Sequence, residues 1–323
     1  MCTYNGAAYL PDQLASISAQ SRRPDEMIVC DDRSTDETIQ ILKDFARSAP
    51  FPVNIIINEK NLGSTKNFEK AIGLCTGEII ALCDQDDIWD KEKLSREVAM
   101  LETSPNVGLV FTNAEIVARN LMPLGFDLWD TIHFDIDKQK LVRMGKSFDL
   151  LMHQNFVTGC TMAFRAQFRE FIFPLPEGTS WIHDGWIALI TSAIADLEMI
   201  PDCLVKYRQH TGQQLGVELP AEQSNRPVAK NRGLRNVSHY GMHLRHLELV
   251  QERLASVGKK TTLKPFVKRR LIQMRAQGAH IRARLALPEK RVRRIPAILL
   301  ELFTLRYTRF SNGLRSAAID FLA

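Results

Sequence analysis

Apolar positions in the first half of the chain follow two alternating periods. Short runs rich in β-branched residues at 27–30, 53–57, 78–83 and 107–111 read as buried strands of about the usual length. Between them, at 10–20, 35–47, 65–74 and 91–101, apolar side chains recur every three or four residues, as on an amphipathic helix. Ser34-Thr35-Asp36-Glu37 has capping-box spacing and predicts a helix start just after Asp31-Asp32. Such alternation predicts an α/β fold: a mostly parallel mixed sheet with helices on both faces.

After about residue 146 the pattern changes. Residues 155–164 read as an extended hairpin edge, 184–195 as a helix, and a short strand leads into Tyr207. Residues 211–235 are polar, with Gly, Gln and Pro, and read as a loop or linker; helices are expected at 240–256, 263–285 and 297–310. Two domains are expected, 1–215 and a helical 216–323. Met1 to Gly6 reads as the end of a strand and its turn. The first strand is therefore expected to be truncated, exposing unpaired sheet edges and pointing to a true start upstream of Met1 or to a compromised sheet.

Composition excludes several classes. With 45% hydrophobic and 24% charged residues over 323 positions, disorder, collagen and a polytopic membrane protein are ruled out. Charge is segregated. Residues 221–323 carry 22 Lys and Arg against 6 Asp and Glu, net +16, while the first 220 residues are net −11. The six cysteines are scattered, without CxxC pairs, and read as buried free thiols. No secretory leader pattern is seen, and the apolar run 295–305 is interrupted by Glu301, so a cytoplasmic location is expected.

Two acidic clusters follow strand-like runs, where open α/β sheets present functional side chains: Asp31-Asp32, and Asp84-Gln85-Asp86-Asp87. Crowded carboxylates raise one another's pKa unless a cation or donors sit among them. A hard divalent ion, Mg²⁺ or Mn²⁺, completed by substrate phosphates and water, fits these ligands. The plainer alternative is aspartates that merely cap helices.

Five segments in order, Cys2-Thr3-Tyr4-Asn5-Gly6, Asp31 to Asp36, Asp84-Gln85-Asp86-Asp87-Ile88-Trp89, His183-Asp184-Gly185-Trp186 and Tyr207-Arg208-Gln209-His210, resemble the motifs of family 2 inverting glycosyltransferases. The resemblance covers about residues 1–215 and implies a GT-A (Rossmann-like) fold. The Asp-Gln-Asp-Asp-x-Trp version and the late Tyr-Arg-Gln-His are most similar to the rhamnosyltransferase-like branch that builds bacterial surface polysaccharides.

Position by position, the resemblance implies that Asp31 and Asp32 meet the base and ribose of a nucleotide-diphosphate sugar, with Thr3 and Tyr4 lining the same pocket. Asp84 and Asp86 match the metal-associated pair, with Asp86 the direct ligand and Asp87 assisting. Asp184 matches the catalytic base, with His183 where the family usually has Glu. His210 matches a metal ligand or diphosphate contact, or is structural. Arg33 stands where Gly is common, and its guanidinium reads either as a phosphate contact or, by preference, as an ion pair with Asp36. Asn61, Gly63 and Lys66-Asn67 read either as a diphosphate contact or as a plain helix start. Gly159 marks either a close approach to substrate or a bulge. Trp89, Trp181 and Trp186 either stack on sugars or belong to the core.

A diphosphate leaving group builds negative charge as it departs, and an acceptor hydroxyl needs a carboxylate to take its proton, so both acidic centres have work in such a transfer. The expected partners are a nucleotide-sugar donor and a glycan or lipid-linked saccharide acceptor. Two rivals stand: a GT-A-like scaffold that lost catalysis with its first strand, and a phosphatase-like hydrolase using Asp84 and Asp86. The basic tail reads as an amphipathic surface on an anionic inner membrane face, or as a solvated bundle whose Arg stems cover a small core. No nucleic-acid motif accompanies the charge, so nucleic acid is not an expected partner.

Overall fold

The computed structural model describes residues 1–177, 182–213 and 237–322. The chain forms two compact units, Met1–Ser224 and Asn225–Ala323.

The first unit opens with β1 (Cys2–Thr3), α1 (Leu10–Ser18), β2 (Met27–Asp31), α2 (Thr38–Ser48), β3 (Val53–Ile57) and α3 (Ser64–Leu74). β1, β2 and β3 form a parallel sheet in that order, with Cys2 opposite Cys30 and Met27 opposite Val53. β2 is buried throughout, as its unbroken apolar run predicts. α1 buries Leu10, Gln13, Leu14 and Ile17, one helical face, and starts with Pro11 in its first turn, where the lost N–H costs nothing. The expected short first strand is seen: β1 has two residues, and the Met1 ammonium donates to the Ile28 carbonyl at 2.8 Å.

There follow β4 (Ile79–Ala81), β5 (Ile88–Trp89), α4 (Lys93–Thr103), β6 (Val107–Val117), β7 (Pro123–Asp127), α5 (Leu128–Thr131), α6 (Ile136–Arg143), α7 (Ser147–Leu151), β8 (Met162–Arg165), α8 (Arg169–Ile172), α9 (His183–Ser192) and β9 (Asp196–Arg208). Five of these strands form a mixed sheet in the order β4-β8-β6-β9-β5, with β7 on β6; β6 and β9 are parallel and the other pairs antiparallel. Cys2 N donates to Cys83 O at 3.3 Å, joining the end of β1 to the end of β4. Beyond Met1 a cavity of about 330 Å³, lined by Ile28, Ile80 and Ala81 among others, separates β2 from β4.

Four expectations are corrected. Residues 155–164 are not a hairpin edge: Gly159–Thr161 is a single 3₁₀ turn, and β8 sits between β4 and β6 with Met162, Ala163 and Phe164 all buried. The strand into Tyr207 is 13 residues long, not short. Exposed Pro201 and Asp202 bulge out where the register slips between Thr112 and Asn113, and that polar interruption hides its first half. α2 begins at Thr38 because the capping box does not form. Ser34 Oγ donates to Asp31, and Asp36 accepts from Thr38 N at 3.1 Å. The Arg33–Asp36 pair is also not made. Arg33 is exposed with φ 68°, a left-handed conformation that explains the preference for Gly there.

All six cysteines are free, and burial pushes the Cys83 thiol up to about 12. Leu101, Val107, Val110, Ala163, Ile200 and Leu204 form a core between α4 and the mixed sheet.

The second unit contains α10 (Val237–Lys260), α11 (Pro265–Leu285), α12 (Arg291–Phe303), α13 (Arg306–Phe310) and α14 (Leu314–Leu322). The helix expected at 297–310 is two helices, broken at Leu305, which has φ 57°. Leu287, Ile298, Tyr307 and Ala317 pack as an apolar cluster beside a buried polar one. Asp320 accepts from Arg284 Nε at 2.6 Å and Tyr307 OH at 2.7 Å, and His280 bridges Glu301 at 2.6 Å and Ser311 at 2.9 Å. No helix among the described residues is long and apolar enough to cross a membrane.

Candidate active site

A cleft of about 620 Å³ opens where β1 and β4 end and α9 begins. Asp32, Asp84, Asp86 and Asp184 line it, with Thr3, Tyr4, Asn61, Gly63, His183 and Tyr207; no Lys or Arg does so among the described residues. The two acidic centres, a hundred residues apart in sequence, therefore share one cavity.

Asp31 and Asp32 differ in placement. Asp31 is fully buried and does not line the cleft. It accepts from Thr3 Oγ1 at 2.8 Å, Ser34 N at 2.8 Å and Ser34 Oγ at 2.6 Å, and so fixes the turn after β2. Asp32 does line it, accepting from Asn58 Nδ2 at 2.8 Å, Leu62 N at 2.7 Å and Gly63 N at 2.9 Å. One lone pair of Asp32 Oδ2 is left by this count for a ligand. Thr3 is buried against Asp31, while the Tyr4 side chain is exposed at the rim.

The loop from Asp84 to Asp87 is braced from several sides. Gln85 spans to Tyr4, and a Cβ on Gly6 would lie 2.2 Å from Gln85 Oε1, so glycine is required for that approach. Arg208, itself buried, donates to Asp86 O at 2.8 Å and Asp12 Oδ2 at 2.9 Å, and its backbone N–H donates to Asp87 Oδ1 at 3.2 Å. His210 Nε2 meets Asp86 Oδ2 at 2.9 Å, and the His210 ring lies 4.3 Å from that of Tyr9. Gln85 and Arg208 lie inside the recognised motifs, yet sequence reasoning gave them no role. The neutral type of Gln85 among three aspartates, and the basic type of Arg208 just after Tyr207, were the available signal.

Burial, and then the charges of Asp86 and Asp184, push the Asp84 carboxyl up to about 7. Asp87 is buried behind the cleft wall and is raised further by burial, Asp86 and Asp84. Asp84, Asp87 and Cys160 place ligand atoms within 4.8 Å of one another. Cys160 is a poor partner for a hard cation, because burial and both carboxylates keep its thiol protonated. Asp84 and Asp86 line the cleft with carboxylate oxygens, the ligand type a hard divalent ion takes, whereas His210 does not line it and reaches it only through Asp86.

Asp184 sits in the first turn of α9, where the helix dipole favours an anion. It accepts from Asn155 Nδ2 at 3.2 Å, Gly159 N at 3.2 Å and its neighbour Gly185 N. Burial outweighs those bonds and sets its carboxyl at about 6. His183 is buried beside it, stacked on Phe68 at 3.9 Å, and neither ring nitrogen has a hydrogen-bond partner. Burial alone depresses it to about 3, so it is neutral. A Cβ on Gly159 would lie 2.9 Å from His183 Nε2, so this glycine serves a close approach of backbone to imidazole.

Other candidates lie elsewhere. Lys66 is taken up by Glu69 at 2.8 Å and Glu177 at 3.3 Å and does not line the cleft. Asn67, by contrast, does line the cleft, but it is buried and its amide is spent inward, donating to Cys30 O at 2.8 Å. Trp89 and Trp186 are core residues, Trp186 donating to Ile172 O at 2.9 Å. Trp181 lies outside the described residues.

The fold is of the GT-A type, and the chain belongs to Glycosyl transferase family 2, whose family model matches residues 1–167. Among its relatives, the dTDP-rhamnosyl transferase RfbG of Shigella flexneri is 28% identical over 68% of this chain and 74% of its own length. An uncharacterized protein of Mycobacterium bovis is 27% identical over 64% of this chain, which spans 57% of that relative's length. The solved structure of S. aureus TarS in complex with UDP-GlcNAc shares the fold, with a TM-score of 0.59 at 16% identity over 99% of this chain and 87% of TarS.

Proposed function

We propose that the protein is a metal-dependent inverting glycosyltransferase moving a sugar, with rhamnose the leading candidate, from a nucleotide-diphosphate donor to a hydroxyl of a saccharide or lipid-linked acceptor in cell-surface polysaccharide synthesis. One observation carries the reading: four carboxylates and no Lys or Arg line the described cleft. A diphosphate cannot enter so anionic a cavity without a cation. Asp86, with Asp84 and His210, would hold a divalent ion, which as a Lewis acid supplies charge neutralisation for the leaving diphosphate.

The remaining work falls to the chain's own groups. Asp32 and the ordered turn after β2 would seat the nucleoside, with Thr3 and Asp31 fixing that turn. Asp184, with a carboxyl near 6, is ionised at neutral pH and basic enough to take a proton from an acceptor hydroxyl as the new bond forms. A single base acting opposite the leaving group inverts the anomeric centre. The likeness to RfbG supports rhamnose as the sugar. Peripheral contact with an anionic inner membrane surface belongs to the same reading, supported by the +16 charge of residues 221–323.

The test is transfer from a panel of nucleotide sugars with Mn²⁺, with the product anomer read by NMR, in the wild type and in Asp184→Asn. The variant should bind donor normally and transfer nothing. Unchanged turnover would remove Asp184 from its role. Donor binding with no transfer in the wild type would favour the scaffold, and donor hydrolysis independent of acceptor would favour the hydrolase.

A further inference from the structure

The helix α12 is amphipathic the wrong way round for a soluble bundle. Its buried residues are Arg294, Ile298 and Glu301, and two of those three are charged. Its outward face carries Val292, Ile295, Leu299, Leu300 and Phe303, with Val292 75% and Phe303 87% exposed. At about 100° per residue, Val292, Leu299 and Phe303 fall on one line, flanked by Ile295 and Leu300. The buried charges are satisfied: Arg294 donates to Pro288 O at 2.5 Å and Glu289 O at 2.9 Å, and Glu301 accepts from Arg306 at 2.9 Å and meets His280. The inversion is thus built into the packing of the unit, and among the described residues the apolar stripe has no partner.

What covers the stripe is indicated by charge. Arg291 and Arg293 stand about 100° to either side of the line and are exposed. Arg309 and Arg315 follow on the next two helices, also exposed. Across residues 291–322 the only carboxylates are Glu301 and Asp320, and both are buried. The outer surface of this segment is therefore apolar and cationic, with no acidic side chain to offset it. From Val292 to Phe303 the stripe is about 16 Å long, far less than a bilayer crossing needs.

We infer that α12 lies in the plane of an anionic bilayer, with Val292, Ile295, Leu299, Leu300 and Phe303 inserted among the acyl chains and Arg291 and Arg293 on the headgroups. The flanking guanidiniums stay at headgroup level while their stems follow the apolar face inward. This rests on the proposed peripheral location and names the face that makes it. Lipid is a better occupant than a second copy of this chain, whose matching face would bring the same arginines together.

The experiment is sedimentation of the full chain with vesicles of phosphatidylcholine alone and of equimolar phosphatidylcholine and phosphatidylglycerol. The wild type should bind the anionic vesicles and not the neutral ones, with binding weakened by salt. Leu299→Glu and Phe303→Glu should each weaken it roughly tenfold or more, as expected for losing one inserted side chain. Arg291→Ser with Arg293→Ser should weaken it several-fold and flatten the salt dependence. Because the substituted residues are exposed, unchanged circular dichroism is expected, and Leu299→Ser serves as the milder variant if the charged one misfolds.

No binding of the wild type to anionic vesicles would overturn both the face and the peripheral location. Binding that Leu299→Glu and Phe303→Glu leave intact would overturn the face alone. A dimer in solution dispersed by these substitutions, without vesicle binding, would assign the stripe to a second copy and likewise overturn the proposal. Donor turnover in free solution should be unchanged in all four variants, so catalysis and membrane contact are read separately.

Discussion

Gln85 holds the peptide groups on both sides of Tyr4: its Oε1 accepts from Tyr4 N at 2.8 Å and its Nε2 donates to Tyr4 O at 3.0 Å. The amide side chain thereby imitates a strand partner, tying the turn after β1 to the acidic loop after β4. Both segments line the cleft, so their spacing fixes its width at that end.

Gln85→Ala removes both bonds from an exposed position and should cost about 1 kcal/mol of stability. Its larger effect should fall on the donor, raising KM with little change in kcat, because the loop is freed while Asp184 is untouched. Gly6→Ala should do the same by displacing the Gln85 amide. In the double variant the two effects should not add, since the alanine methyl no longer meets an amide. Additive losses in donor affinity would break the link.

The pH dependence of transfer should report Asp184. Burial raises its carboxyl to about 6, so kcat/KM should rise about tenfold per pH unit below that value and level off above it. Stability moves the other way. A carboxyl raised on folding favours the folded state most below its unfolded pKa of about 3.9, and that contribution is lost as pH rises through about 6. The stability of Asp184→Asn relative to wild type should therefore improve from pH 4 to 7, by about 2 kcal/mol at most, in paired urea melts. Asn155→Ala removes one donor from the carboxylate and should shift the rate profile to higher pH.

Much of the fold was legible because β2 buries one continuous apolar run and α1 one clean helical stripe; β3, interrupted by Asn54, is instead an edge strand with no fully buried residue, not a strand buried on both faces. The parts misread share a cause. In β9 the bulge at Pro201 and Asp202 breaks the apolar run, and in β6 the buried polar residues Thr112 and Asn113 break it. The capping box at Ser34 was misread because the hydroxyl had a better acceptor in Asp31. At the site, Asp84, Asp86, Asp184 and Asp32 were legible as acidic residues at strand and helix ends, and all four line one cleft. Asp31 was not separable from them by type, since one partner that withdraws it, Thr3, is distant in sequence; Lys66 is withdrawn by Glu69 three residues on as well as by distant Glu177.

His183 has two buried nitrogens without hydrogen-bond partners at the edge of the cleft, an expensive arrangement unless a ligand completes it. Its neutral ring can donate from one nitrogen and accept at the other, which suits a sugar hydroxyl. His183→Phe keeps the stack on Phe68 and removes both polar atoms, so it should preserve or raise thermal stability. It should also lower kcat/KM at least tenfold and narrow discrimination between donors that differ at one hydroxyl. Unchanged donor selectivity would reduce His183 to a packing residue.

Asp86 and His210 meet at 2.9 Å, and Arg208 anchors the Asp86 carbonyl from behind, so the carboxylate has a fixed origin and one movable partner. Mn²⁺ should raise the melting temperature by relieving repulsion among Asp84, Asp86 and Asp184, and EDTA should reverse the shift. Asp86→Ala should abolish most of the shift and weaken Mn²⁺-dependent donor binding by about a hundredfold or more in calorimetry, because losing even a group that only orients a metal ligand costs about 10–100-fold. His210→Gln retains a neutral donor and should lose less. Because burial and the charges of Asp86 and Asp184 raise Asp84, the shift should shrink as pH falls through about 7 and Asp84 takes up a proton. A full Mn²⁺ response in Asp86→Ala would move the ion to other ligands.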